Sequence, residues 1–241
     1  MDGIITSFPL LMAASFASMI GGLLIFFRKH WSEDSLMSMI SIGAGLLLSI
    51  TLFHMLPQVA GNTQQSLMPF VVIGYLFLFA IDLAGHGRGK ADGAVIGFVI
   101  HAFSEGVSLA AAFQVSPQLG MSILVALLFH KIPEGITMAS LLLAVTQRKQ
   151  TAFLGSVLLG VATLAGALLA AVTERFIMTA NITNPLLALS AGVFLYVSTS
   201  HLIPHIRQAK NMRAGFYFFG AVLLYMLLST VLGPAVHHHH V

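Results

Sequence analysis

The sequence predicts an all-α polytopic membrane protein with eight spanning helices. Spans one to three and six to eight are expected to be inverted repeats around spans four and five. Three observations carry this. The 241 residues are 57% hydrophobic and 8% charged, where a soluble domain carries about 25% charged residues. Apolar runs of about 20 residues, the length that crosses a bilayer, follow one another with short polar connections. A segment of the second run recurs in the seventh.

The runs lie at Ile4–Phe27, Leu36–Pro57, Leu67–Ala84, Ala94–Phe113, Leu119–Val145, Ala152–Thr173, Pro185–Pro204 and Ala214–Pro234. No soluble insertion separates them, so residues 1–236 read as a single transmembrane domain. The His-rich tail His237–Val241 is either native or a tag remnant, and it stays outside the fold reading. The first run lacks a basic leader and a small-residue cleavage site, so no cleavable signal peptide is expected. With no Cys, disulfides and thiolate ligands are excluded.

Basic residues set the expected orientation, because Lys and Arg collect in cytoplasmic loops. Loops one, three, five and seven hold Arg28, Lys29, Arg88, Lys90, Arg148, Lys149, Arg207, Lys210 and Arg213. The even loops hold only Arg175, and Lys131 lies inside span five. Both termini are therefore expected outside, with a prokaryotic cytoplasmic membrane as the expected residence. These loops, rather than a nucleic-acid surface, account for the pI near 9.5.

The repeat relates span two, AGLLLSITLFHMLP, to span seven, AGVFLYVSTSHLIP, at an offset of 147. Ala44, Gly45, Leu48, His54 and Pro57 recur as Ala191, Gly192, Leu195, His201 and Pro204. The two spans run in opposite senses across the membrane on this orientation. Inverted repeats with a midplane site between them are the architecture of secondary transporters.

Spans four and five carry the chemistry. Span four reads IHAFSEG and span five reads FHKIPEG, each with His, three residues, Glu and Gly. Residues i and i+4 share one helix face, so each span presents one imidazole and one carboxylate to the same point. His101, Glu105, His130 and Glu134 together form a donor set for one divalent transition metal ion. Ionisable groups inside a membrane are costly and mark function. Lys131 needs a counter-charge for the same reason, and Glu134 and Glu105 are the nearest candidates.

His54 and His201 stand one turn before prolines that permit a kink, and read as entrance and exit groups of a path. Asp82, His86, His201 and His205 form a candidate inner release cluster. Trp31, beside Arg28, Lys29 and His30, reads as an interfacial anchor.

With these motifs, the whole chain resembles the ZIP (Zrt/Irt-like) family of divalent metal transporters. The resemblance implies uptake of a divalent metal, usually zinc, toward the cytoplasm; two His and two Glu suit zinc but would also accept Fe2+, Mn2+ or Cd2+. It also implies a three-plus-two-plus-three helix arrangement, an elevator-like movement and a homodimer. Many members hold two metals, the second drawing on polar or acidic residues where this chain has Ala102, Lys131 and Thr163. The departure suggests a mononuclear His2Glu2 site with Lys131 as surrogate for the second cation. Two rival readings are an intramembrane zinc-dependent hydrolase and a haem-binding electron carrier. The first lacks an HExxH motif, and the second is disfavoured by the carboxylate beside each His.

Overall fold

The computed structural model describes residues 2–61, 66–84, 92–173, 183–208 and 212–236. His86 and the tail His237–Val241 lie outside the described residues. Nearly all the rest is helical, and no strand occurs among the described residues.

The chain forms α1 (Asp2–Leu23, extended by a 3-10 turn, Leu24–Phe27), α2 (Glu33–Ala60), α3 (Met68–Ala84) and α4 (Asp92–Val115). There follow α5 (Pro117–Thr146), α6 (Lys149–Val172), α7 (Thr183–Arg207) and α8 (Arg213–Val236). Six are long and apolar enough to cross a membrane, and α5 makes a seventh if its two bent parts count as one span. The apolar α3 is shorter, at 17 residues. Large apolar side chains point outward along the rods, among them Phe16 and Phe26 on α1, Val72 and Phe77 on α3, and Phe219 and Leu227 on α8. In a soluble protein such a surface would aggregate, whereas lipid tails solvate it.

Local chemistry sets the ends. Ser32 Oγ accepts from Ser35 N at the start of α2, where Glu33 and Asp34 complement the helix dipole. Ser116 Oγ accepts from Leu119 N, and Pro117 fills the first position of α5, where no N–H is missed. Gln147 closes α5 in the left-handed region, at φ 55. Trp31 Nε1 donates to Ile25 O at 2.8 Å while Arg28 lies over its ring, tying the α1–α2 connection to the end of α1.

The expected kinks before Pro57 and Pro204 take the form of π turns, at Thr51–Met55 and Val197–Leu202. A proline cannot donate to the carbonyl four residues back, and the chain adjusts by widening one turn. Leu56 N–H reaches back to Thr51 O, and Ile203 N–H to Ser198 O. The offset of 147 relates these bonds to each other.

Packing obeys the same relation. Helices α1, α4, α5 and α6 pack on one another as one group. In the other group α2 packs on α8, α3 on α7, and α2 meets α7 around the π turns. The two groups touch where α2 meets α5 and where α4 meets α7. Exchanging α2 with α7, α3 with α8, α1 with α6 and α4 with α5 turns the main pairings into each other. The correspondence reaches single contacts: Gly45 abuts Phe218 O and Gly192 abuts Val71 O, so close that an added Cβ would overlap the carbonyl. Offset by 147, Gly45 becomes Gly192 and Val71 becomes Phe218.

Candidate metal centre

The centre lies where α4, α5 and α7 meet. Glycine positions the two motif helices. Gly106, directly after Glu105, presses on the backbone of Thr163 in α6, and Gly135, directly after Glu134, presses on the backbone of Ser18 in α1. A side chain at either position would force the helices apart, so the Gly in each His-x-x-x-Glu-Gly motif sets how deep its carboxylate sits. Pro133 removes a helical donor just before Glu134, and α5 bends by 42° between its parts Pro117–Val125 and His130–Thr146.

Three of the four expected donors converge. His101, Glu105 and His130 each offer an atom within 4.8 Å of the other two. A single oxygen serves both rings: His101 Nε2 lies 2.8 Å from Glu105 Oε1, and His130 Nε2 contacts that same Oε1. His101 is 2% exposed and Glu105 9%. The other Glu105 oxygen faces Lys131, whose Nζ lies 2.5 Å from Glu105 Oε2 and 3.0 Å from Glu134 Oε2. Lys131 is 0% exposed, so it does not snorkel to water. Glu134 is thus held beside the ammonium rather than within the compact triad, while its Oε1 is buried without a hydrogen-bond partner.

Helix α7 completes the environment. Ser190 Oγ lies 2.7 Å from His101 Nδ1, and Phe194 stacks on the His101 ring with centroids 3.5 Å apart. With Nδ1–H donating to Ser190, Nε2 presents its lone pair to Glu105 Oε1, and the 2.8 Å contact between them is not a hydrogen bond of sound geometry. On that tautomer two lone-pair atoms face each other and leave a place for a cation. Ala102 is buried in the apolar core, and Thr163 Oγ1 donates to Leu159 O in its own helix.

A second polar group joins α3 to α7. Asp82 Oδ2 lies 2.8 Å from His201 Nε2 and accepts from Tyr196 OH at 2.7 Å. Gly93, at the start of α4, packs against Asp82 and His201. His205 Nδ1 bonds instead to His201 O in its own helix, and His54 occupies an exposed position in the π turn of α2. Sequence reasoning missed Ser190, Phe194 and Tyr196. Ser190 carried one signal, a polar residue just before the repeated Ala191-Gly192 pair, but nothing local tied it to a residue 89 positions away.

Comparison with known proteins identifies the family. The family model described as ZIP zinc transporter matches residues 91–233, more than half of the chain. The chain belongs to the ZIP family. Zinc transporter ZIP9 of Micropogonias undulatus is 26% identical over 201 residues, covering 70% of this chain and 64% of the relative. Zinc transporter ZIP9-B of Xenopus laevis is 27% identical over 157 residues, 56% of this chain and 51% of the relative. Human zinc transporter ZIP10 is 27% identical over 132 residues, 54% of this chain but 16% of the relative. The chain thus spans about half to two thirds of the ZIP9 relatives it matches. All three relatives are named as zinc transporters. The helices and the family together make this an integral, multi-pass membrane protein.

Proposed function

We propose that the chain carries divalent transition metal ions, Zn2+ first with Fe2+, Mn2+ or Cd2+ as alternatives, toward the cytoplasm. The site is mononuclear and near the bilayer midplane. His101, Glu105, His130 and Glu134 are its ligands, and Lys131 stands where binuclear relatives place a second cation. One observation carries this reading: the imidazoles of two helices converge on one carboxylate oxygen inside an apolar bundle. Two neutral imidazoles with carboxylates suit zinc without excluding its neighbours. The ammonium between Glu105 and Glu134 supports a single bound ion, because it already neutralises the space beside the triad.

The transport cycle follows from the architecture. Eight spans in a three-plus-two-plus-three arrangement with inverted repeats are supported by the exchanged contacts Gly45–Phe218 and Gly192–Val71. Residues 1–236 act as one domain. An elevator movement is supported by the division into α1, α4, α5, α6 and α2, α3, α7, α8. The basic loops support external termini. His54 serves the entrance, and Asp82 with His201 and His205 serves the exit.

The test is uptake of Zn2+ and a panel of other divalent ions into proteoliposomes. Saturable uptake in the unaltered protein and its loss in a folded His101→Ala variant is the expected outcome. Equal uptake by both refutes the ligand assignment. Two ions per chain at the centre, measured without residues 237–241, refutes the mononuclear site.

A further inference from the structure

Lys131 poses a question that ligand geometry alone does not answer. A fully buried lysine is among the costliest residues to place in a membrane interior. Its ammonium forms ion pairs with both carboxylates, and it precedes Glu134 by three residues, so the same helix turn holds it there. An apolar residue at 131 would remove none of the four donors that meet a metal. The ammonium must therefore matter at another stage, and the charge of the centre shows which.

With neutral imidazoles, two carboxylates and one ammonium give the empty centre a formal charge of −1, and a bound divalent ion turns it to +1. Without the ammonium the same states carry −2 and 0. The cost of burying a charge in apolar surroundings grows roughly as its square, so the empty state without Lys131 costs about fourfold more on this scale. Its two carboxylates would also lie side by side without a counter-ion. Such a centre moves readily only when loaded. With Lys131 the empty and loaded states carry charges of equal size, and neither half of the cycle is barred.

We infer that Lys131 is a tethered counter-cation that allows the empty site to reorient, and so makes the protein a net carrier of metal rather than an obligatory metal-for-metal exchanger. The inference rests on the transport reading above and extends it to the return step. Lys131 acts here by fixed charge, as the one cation that never leaves the site.

The experiment separates the two fluxes. The purified full chain is reconstituted, the membrane potential is held at zero, and radioactive Zn2+ is followed in two ways: entering zinc-free vesicles, and exchanging into vesicles preloaded with equal unlabelled Zn2+. In the unaltered protein both fluxes are expected. In Lys131→Met, exchange persists while the ratio of net to exchange flux falls by at least about tenfold. Lys131→Arg keeps the fixed charge, and its ratio stays close to that of the unaltered protein. A role of Lys131 in packing alone would lower both fluxes together in Lys131→Met and leave the ratio unchanged. A Lys131→Met protein with an unchanged ratio overturns the inference. If Lys131→Met carries neither flux, Lys131→Arg decides: net uptake alongside exchange supports the inference, and exchange without net uptake, or neither flux, overturns it. Absence of both fluxes in the unaltered protein defeats the transport reading itself.

Discussion

Ser190→Ala probes how α7 prepares a residue of α4. The serine hydroxyl lies 2.7 Å from His101 Nδ1, and both residues are buried. Alanine leaves the Nδ1 group in an apolar pocket against the Phe194 ring, with its hydrogen-bond partner removed. Stranding a buried polar group costs about 1–3 kcal/mol. That cost falls on the tautomer that directs Nε2 toward Glu105, because the other tautomer needs no donor contact at Nδ1. Charged wholly to metal binding, it weakens affinity by roughly 5- to 150-fold. Loss of the partner behind a metal-bound imidazole typically costs about 10- to 100-fold, the same range. The measurement is competition for Zn2+ between a chelating dye and the detergent-purified protein, with zinc-free thermal melts to check folding. A dissociation constant within about twofold of the unaltered protein, at an unchanged melt, would refute the reasoning.

Three further outcomes are expected. Gly135→Ala places a methyl group against the backbone of Ser18 and is expected to destabilise the α1–α5 packing by about 1–3 kcal/mol, read as a lower melting temperature in detergent. Gly106→Ala, against Thr163, behaves alike, and unchanged melts in both would show that the helices can separate freely. Protons compete with metal for imidazole and carboxylate ligands, so affinity is expected to fall steadily from about pH 8 to about pH 5, and a flat profile would count against the donor set. The chain has no Cys, so a cysteine placed at His54 or His201 is unique; a membrane-impermeant thiol reagent should reach the first from outside and the second from inside. Labelling of both from one side would reverse or break the orientation.

Local pattern alone specified a good deal of this protein. Hydrophobic run length marked the helices, and the i, i+4 spacing set His101 with Glu105 and His130 with Glu134 on single faces. The 147-residue offset, seen first as a few shared residues in two spans, reappears as matched π turns and matched glycine contacts. Such features depend on neighbours within one or two turns, which a linear reading contains. The partners across helices depended on tertiary structure. Periodicity names the face of a helix but not its rotation or depth against another, and here those follow from glycines touching the backbones of distant helices. Those contacts decide that both imidazoles share Glu105 Oε1, that Lys131 pairs with both carboxylates, and that Ser190 reaches His101 from α7. They also join Tyr196 to Asp82, while His205 turns to its own backbone. His101, Glu105 and His130 were legible from two motifs as residues that come together; which atom faces which was set by close packing between segments far apart in the chain.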